Sequence, residues 1–168
     1  MKLQEAKQQF IQSWGVLGNQ WGINRTMAQV HALLLISEAP LSTDDVMEQL
    51  NISRGNANLN IRELMDWGLV EKMIVPGDRK EYFVADKDIW QVATRIMAQR
   101  KKRELDPMLK VLNQLQEVEG DKKDPAIKSF TETIGNIRKF AGHAEKTIDT
   151  IIKAEENWFL NSFIKFFK

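Results

Sequence analysis

Residues 53–67 read SRGNANLNIRELMDW, and their spacing is that of one short helix. Ser53 has the chemistry of an N-cap, since its hydroxyl can accept a hydrogen bond from a backbone N–H that the first turn leaves free. At about 100° per residue, Ala57, Ile61 and Leu64 share one side. The opposite side carries Arg54, Gly55, Asn58, Leu59 and Arg62, with Asn56 at the boundary. A plain solvated face more often carries Lys and Glu. Asn can pair with an adenine edge, Arg with guanine or phosphate, and an apolar side chain can meet a thymine methyl. Taken alone, the stretch is equally a surface helix rich in Asn, so its neighbours must choose between the two.

On its N-terminal side, Leu41 leads into Ser42-Thr43-Asp44-Asp45. Ser42 and Asp45 have the spacing of a capping box, with Asp in place of the usual Glu or Gln. Val46, Met47 and Leu50 supply the buried face of a short helix, and Asn51-Ile52 form a tight connection to Ser53. Two short helices joined by a turn, the second with a polar outer face, make a helix-turn-helix. Before them, residues 25–38 read as a largely apolar helix, capped by Asn24 and ended by Glu38-Ala39-Pro40. Residues 3–21 read as a first helix with a stripe of Leu3, Ala6, Phe10, Trp14, Leu17 and Trp21, stopped at Gly22.

On the C-terminal side, Trp67-Gly68 stops the helix. Residues 68–75, GLVEKMIV, switch to strand chemistry. Pro76-Gly77-Asp78 turns the chain and residues 81–85, EYFVA, return it. Arg79 and Lys80 sit beside the tip, so the hairpin fits a basic wing able to approach a minor groove. An ordinary edge ribbon is the alternative. Asp88 can start a long apolar-sided helix with a basic run of Arg95, Arg100, Lys101, Lys102 and Arg103, kinked or restarted at Pro107 and continuing to about Val118. That run suits either phosphate contact or simple solvation. Pro125 suits the first turn of a last helix. There Ile127, Phe130, Ile134, Ile137, Ala141, Ala144, Ile148 and Ile151 recur at heptad spacing, before Asn157 interrupts and an aromatic tail, WFLNSFIKFFK, follows.

Composition narrows the classes. The chain has 168 residues, 43% hydrophobic and 28% charged, enough for one domain with a good core or a small domain plus a helical extension. Net charge is only +1, so any nucleic-acid surface must be local. The absence of cysteine removes disulfides, thiolate metal sites and Cys nucleophiles. No stretch approaches the roughly 18 apolar residues of a membrane span, and MKLQEAKQQF lacks a signal-peptide core, so a cytoplasmic protein with no membrane partner is expected. His31 lies among apolar neighbours and fits a core histidine. His143 is remote from it, and no HExxH, GxSxG or Gly-rich phosphate loop is present. No catalytic residue, metal or cofactor is therefore expected, and an enzymatic role is disfavoured.

From Asn24 to Trp90 the sequence resembles MarR-type winged-helix transcriptional regulators, with a closer likeness to the GbsR-like branch. ALLLIS at 32–37, APLSTDDVMEQL at 39–50, NISRGNAN at 51–58, IRELMDWGLVEK at 61–72 and VPGDRKEYFVA at 75–85 carry the resemblance. It implies a mainly α fold with a small β-wing: a winged helix-turn-helix over 22–87 and helical dimerisation segments at 1–21 and 88–168. It implies a homodimer on an inverted-repeat operator in double-stranded DNA. Recognition falls to Arg54, Gly55, Asn56, Asn58, Leu59 and Arg62, and the wing tip to Asp78, Arg79 and Lys80. The family often answers a small molecule, and in the GbsR-like branch regulation concerns choline and compatible solutes. Trp14, Trp21, Trp90, Trp158 and Phe159 are the candidate effector-binding residues, because aromatic faces hold quaternary ammonium groups. Aromatics at helical spacing also pack cores and interfaces. Two other classes compete: a winged-helix module for protein contact without specific DNA binding, and a small helical ligand-binding protein or enzyme.

Overall fold

The computed structural model describes residues 1–166, with side chains through Ala154. The chain divides into two compact units, Met1–Val92 and Ala93–Lys168. In the first unit α1 (Leu3–Gln20), α2 (Arg25–Ile36), β1 (Leu41–Ser42), α3 (Thr43–Leu50), α4 (Arg54–Asp66), β2 (Val70–Ile74) and β3 (Glu81–Ala85) follow in order, and α5 (Ile89–Arg100) begins. The architecture is mainly helical with a small antiparallel sheet as the wing.

Asn24 caps α2, its Oδ1 accepting from Thr26 N–H at 2.8 Å and Met27 N–H at 3.1 Å. The helix then buries Met27, Ala28, Val30, His31, Ala32, Leu33 and Leu34. Each large apolar side chain so buried contributes roughly 1.5–3 kcal/mol. Val46 of α3, Ala57, Ile61 and Leu64 of α4, and Phe83 and Ala85 of β3 are also buried, completing the core of this unit. Ser42 and Asp45 form the capping box expected from their spacing: the Asp45 backbone N–H donates to the Ser42 hydroxyl, and the Ser42 backbone N–H to the Asp45 carboxylate at 2.7 Å. Asn51, in the left-handed region at φ 52°, makes the sharp turn between α3 and α4. The sheet order is β1-β3-β2, with Leu41 opposite Phe83 and Val70 opposite Ala85. The two-residue β1 lies where residue patterning marks only a lead-in to α3.

Leu3, Leu17 and Trp21 are exposed, whereas Ile11, Gly15 and Gly18 are buried. The glycines let α1 and α2 approach closely: a Cβ at Gly18 would lie 2.6 Å from that of Ala28, and one at Gly15 would lie 2.6 Å from Gln29 Cγ.

In the second unit a π-helical segment, Lys101–Leu105, joins α5 to α6 (Asp106–Gln114), with Pro107 in the first turn of α6. Helix α7 (Pro125–Phe166) runs on through Asn157. Along its heptad positions Ala141 is buried, while Phe130, Ile137 and Ile151 stay exposed.

Candidate nucleic-acid interface

Helix α4 is built as the first-turn chemistry dictates. Ser53 stands outside it in an extended conformation, and its hydroxyl accepts from Asn56 N–H. One face buries Ala57, Asn60, Ile61 and Leu64. Arg54, Gly55, Asn56 and Arg62 are exposed, and Leu59 is 65% exposed, which is unusual for a leucine on a folded domain. A Cβ added at Gly55 would meet nothing within 4 Å, so packing does not require this glycine.

Asn58 departs from the outward set. It is half-buried, and its side-chain oxygen accepts from the Thr43 hydroxyl at 3.2 Å, tying α4 to α3. Asn60 carries no sequence signal, since an asparagine on a core face interrupts the apolar period rather than marking it. It is 2% exposed, and its amide donates to both the backbone oxygen and the side-chain oxygen of Asn56, each at 2.7 Å. This buried amide fixes the orientation of an exposed one.

The wing is the β2–β3 hairpin. Gly77, at φ 85°, takes the left-handed position of its turn. Asp78 organises the tip from within: its carboxylate accepts from Lys80 N–H at 2.9 Å and from the Tyr82 hydroxyl at 2.7 Å. The Tyr82 hydrogen bond, followed by that from Lys80, holds the Asp78 carboxyl below its ordinary range, and the same contact raises the Tyr82 hydroxyl. Arg79 is exposed, and among the described residues neither its side chain nor that of Arg62 has a partner. Lys80 Nζ lies 3.7 Å from Asp44, which also pairs with Arg54. Helix α4 and the wing thus present cations from two elements of one unit.

Two members of the basic run, Arg100 at the end of α5 and Lys101 just after it, are paired inside the second unit. Arg100 pairs with Glu104, and Lys101 meets Asp106 at 3.0 Å, Asp149 at 3.4 Å and Glu145 at 3.5 Å. Among the aromatic candidates, Trp14 packs beside Phe10 and His31 with ring centroids 5.4 and 6.3 Å apart. Trp21 and Trp90 are 56% and 74% exposed, and neither stacks on a ring among the described residues. The side chains of Trp158 and Phe159 lie outside the described residues. Among the described residues no group of three His, Asp or Glu could hold a metal ion, and no helix is long and apolar enough to cross a membrane.

Comparison with known proteins gives this geometry a context. Residues 21–81 match the MarR family. The chain is 23% identical over 114 residues to the HTH-type transcriptional repressor GbsR of Bacillus subtilis (strain 168), spanning 68% of this chain and 63% of that protein. It is 21% identical over 89 residues to the putative HTH-type transcriptional regulator YvaV of the same organism, spanning 53% of this chain and 50% of that one. The chain therefore covers less than two thirds of the length of either curated relative. A crystal structure of a transcriptional regulator shares the fold at a TM-score of 0.61 and 18% identity, over 90% of this chain and 99% of that chain. Over residues 21–81, then, the protein matches the MarR family model, and that stretch folds as a winged helix-turn-helix.

Proposed function

We propose that this protein is a transcriptional regulator that reads double-stranded DNA sequence with α4 and the β2–β3 wing. One observation carries the reading: α4 buries its apolar face completely yet keeps Arg54, Gly55, Asn56, Leu59 and Arg62 in solvent. That set offers fork donors for guanine or phosphate, an amide for adenine, an apolar contact for a thymine methyl, and a bare backbone for close approach. Arg79 on the wing adds a cation able to reach phosphate or a narrow minor groove. The relatives' printed names, a repressor and a regulator, agree with it.

The protein acts as a homodimer on an inverted repeat. The exposed apolar residues of α1 and α7 support the dimer, since each helix leaves large side chains in water that a second copy would cover. A choline-like solute is the effector class, following the likeness to the GbsR-like branch, with Trp14, Trp21 and Trp90 as the described aromatic candidates.

The deciding experiment is selection of bound DNA from a random duplex pool at two salt concentrations. Enrichment of an inverted repeat that survives the higher salt is expected. Uniform recovery of the pool, abolished at higher salt, would leave only phosphate attraction. No binding at either salt would turn the winged helix into a protein-contact module.

A further inference from the structure

The two ion pairs at Asp44 place one carboxylate between the reading helix and the wing. Arg54, the first residue of α4, pairs with one oxygen, and Lys80, at the base of the wing turn, lies 3.7 Å from the other. All three side chains are roughly half exposed, at 62%, 59% and 47% for Arg54, Lys80 and Asp44. They are open to a DNA backbone, and their pairing is not a buried structural necessity. Asp44 also stands in the first turn of α3 beside Asp45, so the helix end that would otherwise attract phosphate carries negative charge.

We propose that Asp44 is a positioning residue for DNA selectivity: it holds Arg54 and Lys80 to a single carboxylate and so keeps both from indiscriminate phosphate binding. This rests on the DNA-binding reading given above. On a random duplex, binding comes almost wholly from neutralised phosphates and the counter-ions they release. Each cation engaged by Asp44 leaves one phosphate un-neutralised, and the carboxylate itself repels any phosphate brought to α3. On an operator, base recognition along α4 offsets that penalty. The ion pair then also keeps the Arg54 guanidinium in one orientation, sparing rotamer entropy on binding. Asp44 therefore suppresses random binding more than operator binding.

The test measures affinity of the full chain for its selected operator and for a mixed-sequence duplex of equal length, across a salt series. Asp44→Asn keeps the shape and removes the charge. It is expected to bind the mixed duplex roughly tenfold tighter at low salt, with a log–log salt slope steeper by about one to two, as two freed cations require. Operator affinity should rise less, so the selectivity ratio falls. Asp44→Ser, neutral and suited to a helix's first turn, should repeat the result if the amide variant is poorly folded. Asp44→Glu, which restores the charge, should return the slope to that of the parent. A parent that selects its operator beside neutral variants with unchanged mixed-duplex affinity and slope would overturn this proposal alone. Parent and variants that ignore every duplex would overturn the DNA-binding reading, and this proposal with it.

Discussion

The asparagines of α4 separate by what their neighbours demand of them. Asn56 is exposed but oriented from below by the buried amide of Asn60, while Asn58 is shared with Thr43 of α3. Arg62 has no such tie. Arg62→Ala should therefore weaken operator binding by about 1–3 kcal/mol, the cost of one good base contact, with an unchanged unfolding midpoint. Asn58→Ala should lower the midpoint as well, by about 1 kcal/mol for the missing hydrogen bond between helices. Parallel urea melts and operator titrations separate the two, and an equal weakening for Arg62→Ala on operator and random DNA would assign that side chain to phosphate. His31 makes a second residue-scale case. It is 3% exposed, burial lowers its pKa from 6.5 to about 4, and its Nε2 has no hydrogen-bond partner among the described residues. Since the unfolded chain takes up this proton first, the neutral core form is favoured at and above pH 6.5. Stability should fall as pH drops from 6.5 toward 4, by up to about 3 kcal/mol. His31→Leu should flatten unfolding free energy across that window. The decline below it, from carboxylates such as Asp45 whose native form is favoured by the Ser42 hydrogen bonds, should persist.

At the scale of elements, the wing and the α1–α2 pair make contrasting claims. Arg79 stands free at the tip while Asp78 holds the turn, so Arg79→Ala should leave the hairpin folded and reduce the salt slope by about one. Salt-dependent titration checks this, and an unchanged slope on every duplex would take the wing off the DNA. Helices α1 and α2 meet through glycine. Gly18→Ala forces a methyl against that of Ala28 and should cost about 1–3 kcal/mol through overpacking, read as a lower urea midpoint. Gly15→Ala puts a methyl 2.6 Å from Gln29 Cγ, on a side chain whose amide donates to Gln12, so it should also lower the midpoint, with the gain in helix propensity offsetting part of the loss. These elements also mark where reading a sequence succeeds and where it stops. Caps are legible at Asn24, Ser42 and Ser53 because they follow from local donor and acceptor chemistry. The buried face of α4 is legible because Ala57, Ile61 and Leu64 repeat with the helix. The face of α1 that meets α2 is not, since apolar periodicity counts Trp21 and Leu17 and gives no weight to Gly15 and Gly18, although only glycine permits that approach. Strand β1 is too short to leave a pattern, and its pairing with β3 is long-range. The role of Asp44 is hidden for the same reason: its partners lie 10 residues away on α4 and, at Lys80, beyond the β2 strand.

At the scale of the whole molecule, a single copy leaves too much apolar surface in water. Leu3, Val16 and Leu17 of α1 are exposed. So are Met108 and Val111 of α6, and Phe130, Ile137, Phe140 and Ile151 of α7, with Phe140 at 76%. Isolated exposed leucines are ordinary, but rows of them on amphipathic helices call for a partner. A second copy answers this and also the demands of operator reading. One recognition helix covers only a half-site, and a two-fold pair sets two half-sites about 34–36 Å apart, one duplex turn or a multiple of it. Analytical ultracentrifugation at micromolar concentration should therefore give a dimer. Phe140→Asp places a charge on the most exposed of these aromatic positions, and should shift the distribution toward monomer and weaken operator binding. The winged helix-turn-helix should stay folded, because its core residues Val30, Val46, Ile61 and Phe83 all lie within Met1–Val92. Mixed-duplex binding per reading head should survive the change, since it needs no partner, whereas dependence on half-site spacing should vanish. A parent chain that sediments as a folded monomer would remove the dimer, and an operator lacking two-fold symmetry would then be expected.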